Sequence, residues 1–411
     1  MAISGIIGAH RTRQPALWFA VFVVFIDALG ISIILPIMPD LLVELTGKTV
    51  SEMAFVGGAM MAVYAFNQFI FGPIVGALSD TYGRRPLVLA CLATLALDYI
   101  LMAMAWSVWI LFIGRFIAGL AGASFSVATA YIADVSPRDQ RSANFGLVGA
   151  AFGVGFIIGP VIGGLAGAID VRAPFWLAAA LTGGGLVVGY FILPESLKDE
   201  NRRPFSLAAS NPFTSILRSF AMPALTAFLV VFFLTNLADF TYPAIWAYWG
   251  KETFDWSPTM IGITLAYYGI GTAIIQGGLI RLVIPRFGEP ATIIFGLTCG
   301  AFALFLFAFA SETWMILVII PISCLSHLAH AAFTGMMTKR VPDSEQGELQ
   351  GVLGSLTAVA SFASPLMMTA IFFALADPGG AIYLPGGPFA IAGILTLVAF
   401  WPLMRALAYR G

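Results

Sequence analysis

Twelve runs of mostly apolar residues, each about twenty or more long, occupy most of this chain. They fall at 16–38, 53–78, 86–106, 108–133, 142–168, 174–193, 222–249, 258–284, 290–310, 313–338, 347–374 and 386–407. About 20 apolar residues cross the roughly 30 Å hydrocarbon layer as a helix, whereas a membrane strand needs only about 9–11. In lipid, only helices and closed barrels satisfy their own backbone groups. The expectation is an all-α membrane protein of twelve transmembrane helices. Composition agrees: 60% of the 411 residues are hydrophobic and 10% are charged, with mean hydropathy +0.94, against about 45–50% apolar and about 25% charged in soluble domains. A water-soluble enzyme is excluded.

The formal net charge of −1 carries neither a basic footprint for nucleic acid nor an acidic tail. Cys91, Cys299 and Cys324 sit in apolar runs without CxxC spacing and read as small buried hydrophobes. The run after Met1–Pro15 is too long for a signal-peptide core and has no small-residue cleavage site, so it is expected to be the retained first crossing.

An even number of crossings returns both termini to one side. Sixteen lysines and arginines, from Arg11 and Arg13 to Arg405 and Arg410, fall on that side, and Lys48, Arg172 and Lys251 fall opposite. Cytoplasmic connections carry the positive excess, so both termini are expected in the cytoplasm. The longest connection, 194–221, then lies in the cytoplasm as well. It divides the chain into an N-terminal six-helix bundle at 1–193 and a C-terminal one at 222–411.

The two groups repeat. A shift of 205 residues sets Gly72 on Gly277, Gly83 on Gly288, Pro137 on Pro342, Gly146 on Gly351, Gly149 on Gly354 and Pro160 on Pro365, with no gap. Parallel repeats of this kind are a transporter architecture with a midplane site, here a central cavity between the halves.

Asp27, Asp98, Arg115 and Asp239 lie inside predicted crossings, where a central charge costs about 2.5–3.5 kcal/mol on insertion scales. They must face protein or water. Asp98 and Arg115 are each about eight residues from the turn at Trp106–Ser107, and at about 1.5 Å per residue Asp27 reaches a similar depth. One reading is a structural ion pair. The other is proton coupling, in which a carboxylate holds a proton while Arg115 is away and releases it when the guanidinium returns, with Asp27 the favoured carrier. Asp239 is a second carrier, a contact for cationic substrate or an outward-mouth residue. His327 and His330 share a helix face and read as titratable cavity groups or as satisfied interior histidines. Two histidines without a carboxylate neighbour make no metal site.

The turn between the second and third crossings reads Gly76-Ala77-Leu78-Ser79-Asp80-Thr81-Tyr82-Gly83-Arg84-Arg85-Pro86. As bare chemistry it is a short charged loop with glycines for a tight turn. In the fifth crossing Gly153, Gly155, Gly159, Pro160, Gly163 and Gly164 form a small-residue surface for close helix packing.

That turn resembles the signature of the major facilitator superfamily, complete at Gly76, Leu78, Asp80, Gly83, Arg84, Arg85 and Pro86. The resemblance extends to Asp27-Ala28-Leu29-Gly30 with Pro36 and Pro39, to Asp98-Tyr99, to Gly114-Arg115 with Gly119 and Gly122, and to Tyr131-Ile132-Ala133-Asp134. The run from Gly155 through Gly159-Pro160 to Gly163-Gly164 is similar to the antiporter motif. Together they resemble the tetracycline-resistance efflux branch of bacterial drug:proton antiporters, continued in the second half by Trp246, Trp256, Gln276, Gly288-Glu289 and Gln346-Gly347. The chain departs from that branch at Thr272 and Gly300, which correspond to a histidine and an aspartate that serve proton or drug passage there.

The resemblance implies that Asp27 and Arg115 couple protons with Asp98 in support, and that Asp80 and Arg84 control a cytoplasmic gate with Gly76, Gly83, Arg85 and Asp134. Tyr64, Gln68 and Gln276 would line the cavity, joined by His327 and His330. The expected protein is a proton-coupled exporter of amphipathic small molecules in a bacterial inner membrane. It would act as a monomer on the proton gradient alone, with no cofactor, metal or nucleic acid. A symporter or uniporter of a metabolite on the same fold is the nearest alternative. No polytopic enzyme is expected, since no nucleophile with its base and no metal cluster lies near one face.

Overall fold

The computed structural model describes residues 2–122, 124–137, 139–206, 211–213 and 225–408. Arg138, Arg218 and Arg410 lie outside the described residues, as do the start of the seventh apolar run and part of the 194–221 connection. The remainder is helical, in two compact units: 1–36 with 67–211, and 37–66 with 212–411.

The first unit contains α1 (Ala2–Ile33), the later part of α3 (Val50–Tyr82), α4 (Arg84–Ala103), α5 (Val108–Ala121), α6 (Ser124–Val135), α7 (Arg141–Gly167) and α8 (Ala173–Ile192). The second holds α2 (Met38–Thr46), the start of α3, α9 (Thr226–Asp239), α10 (Thr241–Phe254), α11 (Pro258–Ile274), α12 (Ile280–Ala308), α13 (Thr313–Cys324), α14 (His327–Thr338), α15 (Gln346–Leu375) and α16 (Gly387–Ala408).

Eleven helical stretches among the described residues are long and apolar enough to cross a membrane. One of them, Pro258–Ala308, runs for 51 residues. At about 1.5 Å per residue it would be roughly 75 Å long, more than twice the hydrocarbon thickness. It is broken at Gly288, where φ is 76°, between Pro285 and Pro290. Counted as two, it completes the twelve crossings expected from the sequence.

The 205-residue repeat is visible in three dimensions. Gly288 answers Gly83, whose φ is 106°, and these are two of the three described glycines with positive φ, a region that costs residues with a Cβ. The apolar cores repeat in the same register. Val23, Val88, Leu92, Val127, Ile132 and Val148 of the first core correspond at 205 residues to Phe228, Ile293, Leu297, Ala332, Met337 and Leu353 of the second. Duplicated cores follow from duplicated patterning, since burial selects the same face of each helix.

Helix breaks were not expected. In the fourth crossing α5 ends at Ala121 with Gly122 in a turn, the seventh crossing is interrupted at Phe240 between α9 and α10, and the tenth at Leu325–Ser326 between α13 and α14. Ile275–Leu279 forms a π turn, and α2 is a short extra helix after the first crossing. None shows in hydropathy, because an apolar run stays apolar across a one-residue change of backbone angle.

Candidate functional site

Asp27 is brought to a defined place in the first unit by α7. Gly155, Gly159 and Gly163 recur every four residues on one face, and a Cβ at Gly155 would lie 2.7 Å from the Phe25 carbonyl oxygen and 2.9 Å from the Ala28 Cβ. At Gly159 it would collide with the Ser32 hydroxyl, and at Gly163 with the Ile33 carbonyl. This glycine ridge lets α1 and α7 approach backbone to backbone, and Ser32 Oγ donates to Ala28 O at 2.8 Å and to Gly155 O at 3.3 Å. Pro160 and Gly164 are buried beside the ridge.

Asp27 itself is 6% exposed. Its Oδ2 accepts from the Ser124 hydroxyl, while Oδ1 has no hydrogen-bond partner among the described residues. Ser124, the first residue of α6, was not singled out from the sequence. No local pattern marks a serine 97 residues away as the partner of an aspartate.

Arg115 faces Asp98, not Asp27. Its Nη2 donates to Asp98 Oδ2 at 3.1 Å and to the Met102 sulfur at 2.7 Å. The Asp98 side chain is fully buried and that of Arg115 is 11% exposed. The equal depth inferred from the α4–α5 turn is thus realised as a direct ion pair. Gly114 makes the space: a Cβ there would lie 2.6 Å from Asp98 Oδ1 and 2.9 Å from the Met102 Cγ. Gly30 does the same for the Tyr99 ring, which fills the place of its missing Cβ.

The charged turn between α3 and α4 is a network. Arg84 reaches Asp80 at 2.5 Å and Asp134 at 3.2 Å, and donates to Ser79 Oγ at 2.5 Å. Glu195, which the sequence reading missed, accepts from the backbone N–H of Arg84 at 2.9 Å and of Arg85 at 3.2 Å. It satisfies the first free donors of α4 from a distance in sequence, with its negative charge at the positive helix end. Its only signal was an acid directly after the sixth apolar run, opposite two arginines. Arg85 donates to Tyr190 O at 2.8 Å. Gly83 is required by its backbone, whereas a Cβ at Gly76 would meet nothing within 4 Å.

The equivalent positions of the second unit carry the inverse pair. Shifting Arg84 and Asp134 by 205 gives Glu289 and Lys339, which meet at 2.5 Å. The contact is kept and its polarity reversed.

Of the cavity candidates, Gln68 donates to the Gly122 carbonyl at 2.9 Å, in the turn that ends α5. Tyr64 is half-buried, and Gln276 is exposed on the π turn. His327 Nε2 and Tyr268 OH share a hydrogen bond of 2.9 Å. His330 diverges from it and lines a pocket of the second unit with Asp239, Tyr242 and Gly300. The structure therefore places His330 and Asp239 on the walls of one pocket, which linear spacing does not show. No group of three or more metal-ligating side chains occurs among the described residues.

Against known proteins, the model of the Major Facilitator Superfamily matches residues 20–365 and again 232–409. The tetracycline resistance protein, class C, of Escherichia coli is 41% identical over 369 residues, covering 88% of this chain and 92% of that protein. The class E protein, also of Escherichia coli, is 38% identical over 389 residues, covering 93% and 94%. Among solved structures, the nucleoside transporter NupG matches with a TM-score of 0.76 at 13% identity, over 97% of this chain and 100% of that one, a likeness of fold.

Proposed function

The chain belongs to the Major Facilitator Superfamily, and we propose that it exports amphipathic, drug-like small molecules across a bacterial inner membrane in exchange for protons. The observation that carries the coupling is the separation of two acids. Asp98 is neutralised by Arg115, whereas Asp27 is buried with a neutral hydroxyl on one oxygen and no hydrogen bond on the other. A carboxylate held by a guanidinium keeps its charge while the pair persists. A carboxylate facing only a hydroxyl changes its charge by taking a proton, and that change biases which state of the transporter is populated.

Asp27 is then the proton carrier, and the Asp98–Arg115 pair holds the α4–α5 side of the site in place. The Arg84 network with Asp80, Asp134 and Glu195 is the cytoplasmic gate, with both termini on the same side. Similarity to two tetracycline resistance proteins over about nine-tenths of the chain supports a drug-like substrate. Export direction is supported by that similarity and by the α7 glycine ridge. The proton gradient is the only energy source invoked, and the working unit is one chain of two six-helix halves joined by 194–221.

Proteoliposomes with an imposed proton gradient test this. The wild type is expected to move a fluorescent amphipathic drug against its gradient, and Asp27→Asn is expected to abolish that uphill movement. Unchanged uphill transport in Asp27→Asn would remove Asp27 from the coupling.

A further inference from the structure

We propose that Asp239 anchors a recognition pocket for a compact organic cation, the protonated amine of an amphipathic substrate. The proposal deepens the export reading above and rests on it for its role in transport. The pocket lies wholly within the second unit, among α9, α10, α12, α14 and α16.

Its polar lining is Thr235, Asp239, Tyr242, Ser326, His330 and Thr396. No lysine or arginine lines it, and Asp239 forms no side-chain hydrogen bond or ion pair with a described residue. A lone carboxylate in an apolar wall draws in a cation and rejects an anion. Its position sharpens the point. Asp239 is the last residue of α9, at the break before α10. A carboxylate set at a break in a membrane crossing, with no cation of the protein beside it, is placed for a cation from outside.

The remaining walls suit an amine on an alkyl or aryl body. Phe232 and Phe333 line the pocket, and aromatic faces attract organic ammonium groups. Tyr242 is held in place by a 2.7 Å hydrogen bond to Ser323 and by stacking on Tyr268 at 5.3 Å between ring centroids. The Thr235 hydroxyl donates to the carbonyls of Val231 and Phe232, so its oxygen faces the pocket as an acceptor. Ile293 and Leu297 continue the wall as apolar surface. Gly300 lets α12 pack close beside Ser326 on the pocket wall, since a Cβ there would come within 3.0 Å of the Ser326 Cβ. The titratable groups that share the pocket with Asp239 are His330 and Tyr242.

The test is binding of n-decylammonium against n-decanol to the full-length protein in lipid nanodiscs at neutral pH, two probes that differ in the head group alone. Wild type is expected to prefer the ammonium by at least about tenfold, which is about 1.4 kcal/mol. Asp239→Asn is expected to erase the preference and Asp239→Glu to keep most of it. Equal binding of the two probes by wild type would overturn the proposal, as would a preference that persists in Asp239→Asn. Because binding needs no proton gradient, its outcome is separate from that of the efflux assay.

Discussion

A methyl group at position 114 would collide with the carboxylate of Asp98, so the glycine beside Arg115 is as much a part of the ion pair as its two charges. Gly114→Ala forces side chains off their rotamers or shifts the backbone, at about 1–3 kcal/mol, and is expected to lower the melting temperature in detergent. Arg115→Ala is harsher. Removing one partner of a buried pair costs about 3–5 kcal/mol, while removing both charges is far milder, so Arg115→Ala with Asp98→Asn is expected to recover most of the lost stability. A double variant no more stable than Arg115→Ala would show that the pair does not act as a unit. The depth of these two residues could be counted from the α4–α5 turn, which set them at one level with Asp27. The choice of Asp98 over Asp27 as the arginine's partner could not be counted, because it depends on which faces of α1, α4 and α5 meet.

The α3–α4 turn and its counterpart at Gly288–Glu289 show how an element can be kept while its chemistry is inverted. Arg84 is mostly buried and bridges two acids, with 11% of its side chain exposed. Lys339 is 71% exposed beside Glu289, and a pair with one solvated partner is worth about 0–1 kcal/mol. Thermal melting should therefore separate them. Arg84→Ala is expected to destabilise clearly, and Lys339→Ala to cost less than about 1 kcal/mol. Equal losses would contradict this ranking. The turns were legible because glycine with positive φ, followed by a charge at a fixed offset, is a local signal. Glu195 was not, since its bonds to α4 span 110 and 111 residues. The turn at Gly122 and the breaks at Phe240 and Leu325 escaped for a different reason. They alter backbone angles without altering hydropathy, and two of them place residues of the Asp239 pocket.

The molecule is one design written twice, with matched cores such as Val88 and Ile293 beneath unmatched polar groups. Matched apolar positions repeat the bundle core, and the polar groups differ between the copies: Asp27 has no acid at its 205-residue counterpart, Phe232, and Asp239 answers Ile34. The second unit also holds residues from early in the chain. Lys251 of α10 pairs with Asp40 of α2, and the Tyr248 hydroxyl occupies the space left by the missing Cβ of Gly57 in α3. The account turns on Asp27 as the group whose charge changes during the cycle. The most direct measurement compares two activities of Asp27→Asn in the same proteoliposomes: drug accumulation driven by a proton gradient, and exchange of drug for drug with no gradient. The account predicts that gradient-driven accumulation disappears while drug-for-drug exchange continues. Accumulation at the wild-type level in Asp27→Asn would contradict it.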